Sequence, residues 1–225
     1  MLPYSSIPNF QNRDPVTHKL TAELSSPELD YLAGLEWTAT EKVDGMNIRV
    51  IMVPFGSAEF PHTSVDYYGR TGKTQLPKTL LSHLHFLFDA DAAHPHYIAL
   101  RDLAVELDAP LCIYGEGYGA GIQKGAKYKA DGQAFVVIDI RVGNTNRWLS
   151  RDQVLELCGG TLPVVPTVVG GDTLWDIRSR IQTHPTSMWG DFPMEGFVCR
   201  PVVPLCDRFG DRVQCKMKIC DYPQT

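Results

Sequence analysis

Apolar positions alternate with polar ones in some stretches of the chain, recur every three or four residues in others, and run nearly unbroken in a few. These patterns mark half-buried strands, amphipathic helices and buried strands. Residues 37–53 read WTATEKVDGMNIRVIMV, and two β-rich runs flank Asp44-Gly45, a strong turn signal. This predicts a strand, a turn and a strand. Residues 65–70 predict another short strand. In 79–88, Leu80, Leu81, Leu84, Leu87 and Phe88 share one helical face, and 97–107 continue as a weaker helix. The apolar runs 110–114 and 135–142 predict buried strands. Ser150 and Gln153 form a capping box before Val154, Leu155 and Leu157, with Gly159 as the stop. Residues 172–181 predict a helix with Leu174, Ile177 and Ile181 on one face and Trp175 beside it. Residues 195–203 and 212–219 close the chain as strands. Residues 1–36, with Pro3, Pro8, Pro15 and Pro27, read as an irregular lead-in. The strands come in hairpins rather than in regular alternation with helices. The expected fold class is therefore α+β, with largely antiparallel sheets flanked by helices.

Composition narrows the picture. The chain has 225 residues, of which 44% are hydrophobic and 21% charged, which excludes disordered and fibrous classes. That length suits one domain, and no repeat or sharp boundary divides it. No apolar run is long enough to span a bilayer, and the N-terminus lacks the basic flank and apolar run of a secretory signal. The net charge of −5 argues against a broad basic face for duplex DNA but not against local basic clusters. Six scattered cysteines, with no C-x-x-C pair, read as reduced thiols. Cys206, Cys215 and Cys220 fit no common zinc spacing. His83, His85, His94 and His96 also lack the spacing of a metal site.

The most informative segment is Lys42-Val43-Asp44-Gly45. Taken alone, it is an exposed lysine beside a turn. At the end of a core-backed strand, however, a lysine is desolvated, and neighbouring cations lower its pKa further, leaving a nucleophilic fraction. Lys216 and Lys218 are two apart on a predicted strand and face the same way. They are either an edge-strand device against aggregation or an ammonium pair aimed at a phosphate. Glu116 lies among glycines after an apolar strand, and Glu195 opens another. Together these residues supply a nucleophile, acids for Mg²⁺ or a ribose hydroxyl, and cations for phosphate: the parts of a nucleotidyl transfer.

In this respect the chain resembles the covalent nucleotidyltransferases: ATP-dependent DNA and RNA ligases and mRNA capping enzymes. Their ordered motifs are similar to Lys42-Val43-Asp44-Gly45, to Tyr114-Gly115-Glu116-Gly117, to the Phe135-to-Asp139 run, to Glu195-Gly196-Phe197-Val198 and to Lys216-Met217-Lys218. Finer features resemble the RNA ligase 2 branch. These are Tyr4-Ser5-Ser6, Trp37 before Glu41-Lys42, Asn47, Arg70-Thr71-Gly72, and the glycine-rich run from Gly119 through Ile122-Gln123-Lys124.

The resemblance implies a single ATP-grasp-like adenylation domain over 1–225; in a departure from the family's pattern, no OB or C-terminal accessory domain is expected after it. It implies that Lys42 attacks the α-phosphate of ATP to form a lysyl-adenylate. AMP then passes to an RNA 5′-phosphate, and a 3′-hydroxyl displaces it. Lys216 and Lys218 would join Lys42 in catalysis by neutralising the α-phosphate. Glu41 would lie by the adenine, Glu116 on the ribose, Asn47 by the metal or phosphate, and Arg70 on phosphate or the RNA end. Asp44, Glu116 and Glu195 would hold Mg²⁺ or Mn²⁺ through water. Ile138 occupies the position where the branch usually stacks an aromatic ring on adenine, so either apolar contact or Phe135 would have to replace that ring. The implied partners are RNA ends or a nicked RNA duplex, met by a monomer in the cytoplasm of a cell or infected host, as in phage-like RNA repair.

Alternatives remain: a nick-sealing DNA ligase, a capping guanylyltransferase, or a module that binds a nucleotide or RNA end without turnover. Lys124, Lys127 and Lys129, with Tyr128 as a stacking ring, are a candidate RNA track or else a solvated loop. Arg141, Arg147 and Arg151 are a second such cluster.

Overall fold

The computed structural model describes residues 3–57, 59–145 and 147–223. In chain order the elements are β1 (Gln11–Arg13), β2 (Leu20–Leu24), α1 (Pro27–Leu32), β3 (Trp37–Lys42), β4 (Met46–Gly56), β5 (Pro61–Gly69), α2 (Lys78–Leu87), α3 (Pro95–Glu106), β6 (Leu111–Gly119), β7 (Gln133–Val142), β8 (Arg147–Trp148), α4 (Arg151–Cys158), β9 (Thr167–Asp172), α5 (Leu174–Ile181), β10 (Gly196–Pro201) and β11 (Cys215–Lys218). The expected α+β class with antiparallel sheets is what these elements form: every pairing between the named strands is antiparallel. Among the described residues no helix is long and apolar enough to cross a membrane.

The chain divides into two compact units. A central unit takes Met1–Tyr4 and Asp44–Val164, and a terminal unit takes Ser5–Val43 and Val165–Thr225. The predicted strand, turn and strand around Asp44-Gly45 are present, but they do not form a hairpin. β3 pairs with β10 and β9 in the terminal unit, whereas β4 pairs with β5 and β6 in the central unit. The signal marks the break between the two strands, a bend at Gly45; it does not fix which strand pairs with which.

In the central unit a five-stranded sheet runs β5-β4-β6-β7-β8. Ile48, Val50 and Met52 of β4 alternate onto the face that meets Ile113, Val137 and Ile140 and the apolar stripes of α2, α3 and α4. Leu80, Leu84 and Leu87 supply the α2 stripe, as their spacing predicts. α4 starts at the Ser150–Gln153 capping box, with both reciprocal hydrogen bonds formed. The other face of the sheet carries Ile51, Cys112 and Tyr114, covered by Tyr4, Tyr68 and Trp148.

In the terminal unit a four-stranded sheet runs β11-β10-β3-β9. One face packs Trp37, Ala39, Phe197, Cys199, Cys215 and Met217 against Leu174, Ile177 and Ile181 of α5. The expected irregular lead-in is organised instead: β1 and β2 form a hairpin, α1 follows a Ser26 cap, and Phe10 and Leu29 are buried in this core. Pro27 sits within the first turn of α1, where its missing N–H costs no helical hydrogen bond.

Candidate active site

The strand register of the terminal unit explains its charge arrangement. Gly196 of β10 lies directly between Lys42 of β3 and Lys218 of β11, and Val198 lies between Thr40 and Lys216. Because side chains alternate, Lys42, Lys218 and Lys216 share the face opposite the core, in neighbouring rows. Gly196 leaves a gap in its row. A Cβ there would lie 2.0 Å from the Met217 carbonyl oxygen, so the β11 backbone admits only glycine. Glu195, one residue before the strand, fills the gap with its carboxylate. Lys42 Nζ donates to Glu195 Oε2 at 2.6 Å, and Lys218 Nζ lies 2.9 Å from Oε1.

Two ammonium groups thus share one carboxylate, with Lys216 on the same face. Burial, reinforced by Lys218 and Lys42, pushes the Lys216 pKa below the ordinary lysine value. For Lys218, burial also pulls downward, but its hydrogen bond to Glu195 and the carboxylate's charge outweigh it, so the net shift is upward. The surplus of cations over carboxylates on this face fits a polyphosphate anion.

Glu41 alternates to the core side, where it is 1% exposed. A buried carboxylate needs donors. Here Ser187 Oγ donates to Oε1 at 2.6 Å and the Met188 N–H to Oε2 at 2.8 Å. The side chain expected near adenine therefore braces the loop before Glu195. Ser187 and Met188 carry no chemical signature in the sequence, and only the fold reveals them.

In the central unit, Asn47 of β4 and Glu116 of β6 stand directly opposite each other. Asn47 Oδ1 is buried with no hydrogen-bond partner. An orphaned carbonyl oxygen beside a carboxylate fits a hydrated divalent cation. Gly45 lets the turn close on this pair: a Cβ would lie 2.3 Å from the Gly117 carbonyl oxygen and 2.9 Å from Glu116 Cγ. Asp44 is held at the same turn, where its N–H donates to the Tyr128 hydroxyl at 3.3 Å. Among the described residues, no three His, Cys, Asp or Glu side chains converge as direct metal ligands.

Arg70 is exposed at the end of β5, on a turn closed by Thr71 and Thr74. Buried Arg49 donates from Nε to the Gly69 carbonyl before it. Ile138 is half-buried on β7 at a β-bulge: Tyr114 pairs with Asp139 and Gly115 with Val137, leaving Ile138 as the extra residue. A bulge re-aims one side chain. Phe135 does not stand in for an adenine ring, because it is 0% exposed and packs edge-on to Phe88.

Two further expectations change with the structure. Arg141 is no surface cation; it is 3% exposed, between the Tyr114 and Trp148 rings. Tyr128 is half-buried with its hydroxyl on the Asp44 N–H, so it is not an open stacking ring. The pair Tyr4–Asp139, 2.5 Å apart, ties Tyr4 to the bulged strand. All six cysteines are free thiols, as their scatter suggested.

The RNA ligase family profile matches residues 35–218. The chain belongs to the RNA ligase family. No curated protein sequence matches it. Among solved structures it is similar to a Naegleria gruberi RNA ligase lysine-to-alanine variant with ATP and Mn, at 17% identity and a TM-score of 0.60, covering 96% of this chain and 58% of that one. A lysine-to-methionine variant with AMP and Mn gives 17% identity and a TM-score of 0.58, covering 95% and 59%. The same ligase with PPi gives 16% and 0.58, covering 97% and 61%. The chain thus spans about three-fifths of the length of these ligases, and at such identity the likeness is one of fold.

Proposed function

We propose that this chain carries the adenylation chemistry of an ATP-dependent RNA ligase, with Lys42 as the nucleophile. The observation that carries the reading is the Lys42–Glu195–Lys218 bridge, with Lys216 on the same face, in a chain of the RNA ligase family. The similar Naegleria structures with ATP, AMP and PPi support ATP as the co-substrate.

Glu195 holds the Lys42 and Lys218 ammonium groups. Incoming phosphates compete for Lys216 and Lys218, and Lys42 must shed a proton before it can attack. Lys42 Nζ then bonds to the α-phosphorus as the bond to the β-phosphate oxygen breaks, and pyrophosphate leaves. An RNA 5′-phosphate oxygen next attacks that phosphorus, breaking the P–N bond and returning the electron pair to Lys42. A 3′-hydroxyl finally attacks the RNA 5′-phosphorus, releases its proton and displaces AMP. Lys216 and Lys218 balance charge as it builds on the phosphates.

Mg²⁺ or Mn²⁺ supplies further positive charge when bound. Asn47 Oδ1, Glu116 and Asp44 in the central unit are oxygens that could hold it through water. Glu116 retains the ribose role, Arg70 the phosphate or RNA-end role, and Ile138 an apolar contact with adenine. Glu41 acts by bracing the strand that carries Lys42. The substrates are RNA ends or a nicked RNA duplex, and the chain acts as a monomer.

Incubation with ATP and Mg²⁺ followed by intact-mass measurement tests this reading. The expected result is one added adenylate on the protein and none on Lys42→Ala. An adduct that persists in Lys42→Ala refutes the nucleophile. An adduct with GTP alone moves the reading to a capping enzyme, and no adduct with any nucleotide leaves a binding module.

A further inference from the structure

We infer that the loop over residues 119–129 is a phosphodiester-binding surface, with Lys124, Lys127 and Lys129 engaging the backbone of an RNA end. This rests on the RNA ligase reading and adds where the polynucleotide lies. In a chain with net charge −5, these three exposed lysines fall within six residues. Their presentation is fixed rather than loose. Gly121 and Gln123 adopt left-handed backbone, with φ of 78° and 47°. Ile122 between them is 4% exposed and anchors the loop in the central core. The Gly125 N–H donates to the Ile122 carbonyl at 2.7 Å, and a short 3₁₀ turn over Gly125–Lys127 follows.

The charges act on their surroundings. Lys129 adds to burial in lowering the pKa of His83 on α2. Lys127 lies over the Tyr128 ring, 5.0 Å from its centroid, which leaves that face covered by a cation rather than open to a base. Contact here is therefore by charge and not by stacking, which predicts binding that depends strongly on salt and little on base sequence. The loop also touches the site, since the Tyr128 hydroxyl accepts from the Asp44 N–H. A backbone held by these lysines lies beside the turn that carries Asp44.

The test uses the full chain and a fluorescent, 5′-phosphorylated RNA oligonucleotide, with affinity read by anisotropy across a salt series. A Lys124→Ala/Lys127→Ala/Lys129→Ala variant is expected to bind about tenfold more weakly at low salt. Its slope of log affinity against log salt should fall by about 2, from three contacts at about 0.7 each. The lysines are exposed, so the fold should persist, which circular dichroism checks. Lys19→Ala/Arg208→Ala, which removes exposed cations of the terminal unit, is the control for bulk charge. An unchanged slope and affinity overturns the proposal. So does an equal loss in the control, or a wild-type protein that does not bind the RNA. Anisotropy does not depend on adenylylation, so the mass measurement on wild type decides the ligase reading separately.

Discussion

Glu195→Gln is the most discriminating perturbation of the lysine–carboxylate cluster. The carboxylate accepts from Lys42 at 2.6 Å and pairs with Lys218 at 2.9 Å. Charge-assisted hydrogen bonds contribute about 1.5–3 kcal/mol each when well formed. Solvent reduces that here, because the Lys42, Lys218 and Glu195 side chains are 24%, 34% and 15% exposed. Loss of the carboxylate that Lys42 and Lys218 share works the other way, because it leaves the repulsion among the three ammonium groups less compensated. The net cost is about 2 kcal/mol, which for a chain of this size lowers Tm by about 6 °C. Thermal unfolding of Lys42→Met, Glu195→Gln and the double variant, at low salt and without nucleotide, measures it. Lys42→Met should destabilise the wild-type background by removing a Glu195 partner. It should stabilise the Glu195→Gln background by removing a crowded cation, giving a coupling of about 1 kcal/mol. High salt should shrink both effects. Additivity within about 0.3 kcal/mol, or a higher Tm for Glu195→Gln, would refute this account of the charge cluster.

Lys216→Met should raise Tm at neutral pH while impairing adenylylation. The folded-state pKa of Lys216 is depressed, so the unfolded chain binds more protons there and the site's penalty is relieved as pH rises. The Tm advantage of the variant should therefore shrink toward the ordinary lysine pKa, and a constant advantage across that range would show that charge is not its source. Gly45→Ala places a Cβ 2.3 Å from the Gly117 carbonyl oxygen; thermal unfolding should report a cost of at least about 2 kcal/mol, and intact mass a slower adduct. Ser187→Ala removes one of two donors to buried Glu41, and chemical denaturation should show a loss of about 1–3 kcal/mol; a neutral result would mean that the Glu41 carboxylate finds another donor.

What the sequence makes legible divides along a physical line. Alternation and helical spacing are local, so the stripes of α2 and α5, the capping box of α4 and the outward side of Lys216 and Lys218 all follow from nearest neighbours. Strand pairing is not local. Asp44-Gly45 announces a break between strands, yet only the sheet register shows that β3 joins β10 while β4 joins β6. The same holds for the lead-in: four prolines hide Phe10 and Leu29, whose burial depends on a core built largely from the far end of the chain. At the site, residue types such as Lys42 and Glu195 can be named from their chemistry, but their contact spans 153 residues of sequence. It exists because Gly196 vacates the row between two lysines. Glu41 marks the limit of reasoning from residue type. A carboxylate next to a candidate nucleophile suggests a ligand contact, but strand alternation sends its side chain to the opposite face of the sheet. There Ser187 and Met188 turn a charged residue into part of the core.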